Sequence, residues 1–160
     1  IATMQSPEAF SGYWNRPDAD HKAIRDGWYF TGDLGYFDDD GELFLAGRTD
    51  DMIISGGANI YPAEIENVFL SHPKVGDVAV FGIPHPDWGE EIKAVVEPRE
   101  GHAAGDSLTL ELLDFCKERL AKFKIPKSID YTEEIPRDPN GKLYKRRLRD
   151  PYWEGQERSI

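Results

Sequence analysis

The chain has 160 residues, 39% of them hydrophobic and 12% aromatic, a globular composition that excludes a disordered protein. Its formal net charge of −11 excludes a general nucleic-acid binder, which needs a basic surface against phosphate. The single cysteine, Cys116, permits no internal disulfide, and no apolar run approaches the length of a membrane span, so a cytoplasmic protein is expected.

Charge is unevenly spread. Residues 1–100 carry 19 acidic and 7 basic side chains, residues 101–160 carry 11 and 12, and the basic excess lies between Lys117 and Arg149. An anionic ligand would be met there, unless those residues form only a solvated helical face. The chain starts at Ile1 in mid-pattern and is expected to be a piece of a longer protein.

Residues 1–26 predict helical fragments broken by Pro7 and Pro17, with an aromatic-packed surface turn over 12–17. Residues 28–31 are aromatic and β-branched, and predict a strand running into Gly32-Asp33. Asp33 either forms a simple turn or offers two acceptor oxygens to a vicinal diol. Residues 35–37 and 42–46 flank Asp38-Asp39-Asp40-Gly41, a hairpin signal. A calcium loop fails there, because the twelfth position, Thr49, is not a glutamate.

Met52-Ile53-Ile54 predicts a short strand, and Ser55-Gly56-Gly57 then bares the backbone, which could admit a close ligand or simply turn. Tyr61-Pro62 opens a helix over 62–70, with Glu64 and Glu66 at its positive end. Strands are expected over 75–83 and 92–96, joined by a turn from Pro84 to Gly89. An amphipathic helix follows over 108–120, with Leu108, Leu112, Phe115, Cys116 and Leu120 on one face. Short strands at 129–131 and 143–144 and a helical turn at 146–149 complete the chain. Pro136-Arg137-Asp138-Pro139-Asn140-Gly141-Lys142 is a turn that presents a lysine, read alone as a surface charge. His21, His72, His85 and His102 lack metal-ligand spacing.

Three ordered blocks, residues 29–33, residues 47–66 with its Ser-Gly-Gly, Asn-Ile-Tyr-Pro and Glu-Ile-Glu, and residues 136–142, carry a resemblance over nearly all of the chain. Together they resemble the adenylate-forming enzymes, which comprise acyl- and aryl-CoA synthetases, luciferases and peptide-synthetase adenylation domains. The form is most similar to the CoA ligases.

The resemblance implies an α+β fold. Residues 1–50 would be the end of the large AMP-binding domain, and 51–160 a mobile lid with a β-hairpin and a three-stranded sheet flanked by helices. The full-length enzyme would convert a carboxylic acid to acyl-AMP and transfer it to CoA. ATP and Mg2+ would be held mainly by the large N-terminal domain, the lid's partner. The phosphate loop, acyl pocket and magnesium-binding glutamate of that family lie upstream, so this piece alone is expected to be inactive.

By the same resemblance Asp50 is the hinge, Asp33 binds the ribose hydroxyls, and Lys142 enters the site during adenylation. Arg48 lies near the nucleotide, although a salt bridge to a neighbouring aspartate fits it equally. Gly56 and Gly57 line the path of the pantetheine arm. Trp88 and Phe123 are candidates to stack the CoA adenine, with core packing the alternative. Ala58 departs from the glutamate of many relatives, and Ile125 from a basic residue in some. Two other functions stay open: an adenylation domain that loads a carrier protein, and a non-catalytic binding module that contacts a partner through 142–149.

Overall fold

The computed structural model describes residues 1–4, 6 and 12–156; the predicted break at Pro7 lies outside them. The chain divides into two compact units, Ile1–Asp50 and Asp51–Ile160.

In the first unit β1 (Ala2–Met4), β2 (Ile24–Arg25) and β3 (Trp28–Phe30) form an antiparallel sheet in the order β1-β3-β2. Helix α1 (Pro17–Ala23) begins at Pro17, which was expected to break a helix. A first-turn proline forfeits no hydrogen bond and has the helical φ already. The expected hairpin pairs β4 (Asp33–Phe37) with β5 (Leu43–Arg48). The Asp38 carboxylate closes its turn by accepting the Asp40 and Glu42 N–H groups at 3.1 and 2.8 Å. No described side chain of this unit is fully buried, and Tyr36, Phe37 and Leu45 are 59, 70 and 69% exposed.

The second unit is built on a five-stranded sheet of β6 (Ile53–Ser55), β7 (Ala58–Ile60), β8 (Val75–His85), β9 (Gly89–Pro98) and β10 (Ser128–Tyr131). β9 is central. It pairs antiparallel with β8 along its length, parallel with β10 at 93–96, and with β6 at Gly89. The hairpin and the three-stranded sheet expected for this unit are β6–β7 and β8–β9–β10, joined into one sheet where Ser55 pairs with Gly89. The glycine turn folds Ala58–Ile60 back onto Ile53–Ser55 instead of leading straight into the helix.

The alternation of β8 and β9 serves two faces. On one, Val78, Val80, Ala94 and Val96 pack with Ile65 and Phe69 of α2 (Pro62–Leu70) and Leu108, Leu112 and Cys116 of α3 (Asp106–Lys117). On the other, Ala79, Phe81 and Val95 meet Ile135, with Leu143 and Leu148 packed against them. Leu148 belongs to α4 (Lys145–Arg149), which runs into a 3-10 turn at Asp150–Trp153. That turn is anchored by Trp153 Nε1, which donates to the Gly82 carbonyl at 3.0 Å.

Candidate functional site

Asp33 opens β4 and Arg48 closes β5, and the register sets them opposite each other. Arg48 Nη1 lies 3.5 Å from Asp33 Oδ1, so two residues predicted to meet a nucleotide pair with one another. Both are partly solvent-exposed, and such a pair contributes under about 1 kcal/mol. Thr49 ties the preceding turn by donating its N–H and hydroxyl to the Gly32 carbonyl, each at 2.8 Å. The pair faces a cleft of about 360 Å³, also lined by Lys22, Arg25 and Thr31. A carboxylate acceptor beside guanidinium donors is a chemistry suited to a sugar diol next to an anion.

Gly56 and Gly57 form the two-residue turn between β6 and β7, with φ of +57° and +81°. Both central residues of this tight hairpin lie in the left-handed region, which is why glycine occupies them. Nothing stands within 4 Å of where a Cβ would be at either, so both face open space. Gly56 N–H donates to the Trp88 carbonyl at 2.9 Å, which joins this turn to the one between β8 and β9. Trp88 stacks on His85 with ring centroids 4.6 Å apart, and Lys127 Nζ stands 5.1 Å from the indole. Phe123 lies in a 3-10 turn at Lys122–Lys124, where Lys124 pairs with Glu64 at 2.6 Å. Trp88 and Phe123 are 45 and 55% exposed, so core packing is not what holds either aromatic.

Lys142 ends a hairpin closed by the bridge between Arg137 and Leu143. The Asp138 carboxylate accepts the Asn140 and Lys142 N–H groups at 2.8 and 2.9 Å, and Gly141 turns with φ +82°. Lys142 is exposed, and among the described residues its ammonium has no ion-pair partner. Of its basic neighbours, Lys145 pairs with Glu66 at 2.7 Å, Arg149 with Asp150 at 3.4 Å, and Arg137 with Asp77, while Arg147 lies over the Tyr144 ring.

Sequence reasoning missed Asp77, Glu90 and Lys93, and it placed Glu66 at the start of a helix without finding its tie to Lys145. Lys93 is buried, pairs with Asp130 at 2.8 Å and lies over the Tyr152 ring. Burial, aided by the bond to Asp130, pushes the Tyr152 phenol up to about 12. Charged residues inside the 75–98 apolar run were the available signal, since a buried charge needs a partner. Among the described residues no group of three or more His, Cys, Asp or Glu side chains is placed to hold a metal ion. No helix is long and apolar enough to cross a membrane.

The glycine turn and the lysine turn of this α+β unit both face solvent. Residues 64–142 match the family model of the AMP-binding enzyme C-terminal domain. The chain is 47% identical over 146 residues to the 2-succinylbenzoate–CoA ligase of Geobacillus kaustophilus, covering 91% of this chain and 29% of that protein. It is 45% identical over 140 residues to a long-chain-fatty-acid–CoA ligase of Mycobacterium tuberculosis, covering 88% of this chain and 27% of that one. The crystal structure of ATP-bound MatB from Rhodopseudomonas palustris superposes with a TM-score of 0.81 at 37% identity, over 95% of this chain and 30% of that one. The chain thus spans under a third of the length of the curated relatives it matches.

Proposed function

We propose that this chain is the C-terminal portion of an AMP-forming acyl-CoA ligase, with Ile1–Asp50 the end of the large nucleotide-binding domain and Asp51–Ile160 its rotating lid. In the first half-reaction a substrate carboxylate oxygen attacks the α-phosphorus of ATP. A new P–O bond forms, the α–β bridge breaks, and pyrophosphate leaves. Both reactants are anions, and the charge that builds on the phosphoryl oxygens needs a cation between them. Lys142 supplies it, on a stem long enough to reach from the hairpin. Asp33 accepts from the ribose hydroxyls, and Arg48 stands by the nucleotide. ATP and Mg2+ would be held mainly by the large domain.

In the second half-reaction the CoA sulfur attacks the acyl carbon and AMP departs. Rotation at Asp50, within the 3-10 turn Thr49–Asp51, withdraws Lys142 and brings up the Gly56-Gly57 turn, past which the pantetheine arm runs. Trp88 and Phe123 offer aromatic faces to the adenine. The observation that carries this reading is that a lysine without an ion-pair partner and a side-chain-free turn are both exposed on one unit. The CoA-ligase names of the relatives support it.

The test separates the half-reactions in the full-length enzyme. Lys142→Ala should slow pyrophosphate release by about 10²–10³-fold, the range seen on removing one charge-stabilising donor. Thioester formation from pre-made acyl-AMP and CoA should stay within a few-fold of the parent. Equal losses in both steps would reject the assignment.

A further inference from the structure

The hairpin that carries Lys142 is held on both flanks by ion pairs to acids of distant elements. On the entering arm Arg137 makes two contacts: one guanidinium nitrogen donates to the Gly141 carbonyl at 2.8 Å, and the other pairs with Asp77 of β8. On the leaving arm Lys145 pairs with Glu66 of α2 at 2.7 Å, and each of these side chains is only 14% exposed. Each acid is itself fixed by the backbone. Asp77 Oδ1 accepts the Val78 N–H at 2.8 Å, and Glu66 Oε1 accepts the Val80 N–H at 2.8 Å. Both flanks are thus tied to one stretch of β8, directly or through α2.

We infer that Asp77–Arg137 and Glu66–Lys145 act as a two-point clamp, and that these four residues are positioning residues for Lys142. This rests on the adenylation role proposed above. A flexible lysine tip is useful only if its base is stationary, because misplacing a catalytic group by about 1 Å costs about 10²-fold in rate. Arg137 is the stiffer point: its planar fork reaches the turn carbonyl and the acid at once, and lysine could hold only one of them. Lys142 is left without an ion pair while the cations on either side are paired, so the clamp takes no acceptor that Lys142 needs.

Asp77→Asn and Glu66→Gln remove the charge facing the clamp but keep the amide oxygen that the β8 N–H groups require. In the full-length enzyme each should slow pyrophosphate release by about 10-fold and the double variant by about 10²-fold, with the ATP KM little changed and thioester formation from acyl-AMP within about twofold. Hydrogen exchange is read on the same proteins. The Gly141 and Lys142 amides should exchange faster in the double variant, while the Ala94 amide of the central strand stays protected. Arg137→Lys should fall between parent and Arg137→Met in both readouts. Hairpin amides unchanged in the double variant would overturn the clamp, and so would a loosened hairpin that adenylates at the parent rate. Equal loss in both half-reactions would make the four residues merely structural, which also overturns it. A Lys142→Ala enzyme that adenylates normally would instead reject the role of Lys142, and the exchange data would still judge whether the clamp holds the hairpin.

Discussion

At the scale of single residues, two glycines separate two kinds of cost. At Gly56 an alanine would meet no neighbour but would sit at φ +57°, so the cost is backbone strain of about 1–2 kcal/mol. At Gly82 a Cβ would fall 2.2 Å from Glu90 Oε2 and 3.1 Å from Ile53 Cγ2, beside a buried acid that accepts the Ile54 N–H. Gly82→Ala should therefore cost at least as much, about 1–3 kcal/mol from overpacking. Denaturant midpoints of the two variants test this, and only Gly56→Ala should also impair the CoA step. His72 makes a pH prediction. Its ring is buried edge-on against Phe115, its Nδ1 accepts the Lys74 N–H at 3.3 Å, and burial lowers its pKa despite the nearby Glu111. The unfolded chain therefore takes up the proton first as pH falls. Stability should drop as pH goes below about 6.5 and level off once the folded ring also titrates. Glu111, held low by Lys74, adds a loss in the same direction at lower pH, below its usual range. Urea midpoints from pH 7.5 to 5 should show a smaller slope in His72→Gln than in the parent.

At the scale of elements, legibility followed how local the cause was. Helix 62–70 was readable to its ends because Tyr61-Pro62 opens it and the Ser71-His72-Pro73 run stops it. Strands 75–83 and 92–96 were readable from apolar runs, but both extend further, to His85 and from Gly89, because mutual pairing carries polar residues into the ladder. Strand Ala58–Ile60 was not legible: three residues carry no period, and only the pairing with Ile53–Ser55 makes them a strand. The site divided in the same way. The glycine and lysine turns stand out as motifs, since each is a run of adjacent residues. The pairing of Asp33 with Arg48 crosses a hairpin, and the ties from Glu66 and Asp77 span 79 and 60 residues, so no local pattern records them.

At the scale of the whole molecule, the two units differ in what can hold them. All eighteen buried hydrophobic residues among those described lie beyond Asp50, and none lies before it. A chain starting at Asp51 should unfold in one cooperative transition, while a chain ending at Asp50 should show no sigmoidal melt by circular dichroism. The acidic and basic halves also meet within the second unit, where Glu64, Glu66 and Asp77 receive Lys124, Lys145 and Arg137. High salt should weaken the exposed members of that set before the enclosed Glu66–Lys145 pair.

Among the described residues, one face of the central sheet is roofed by a stretch made after all five strands, from Ile135 to Trp153. During translation, at roughly 5–20 residues per second, the strands are complete about 1–4 seconds before that roof is finished. Through that interval Ala79, Phe81 and Val95 are a bare greasy surface on a nascent chain. Premature termination after β10 would therefore yield a polypeptide with a finished helical side and a sticky back, a natural client for chaperones and a seed for clumping.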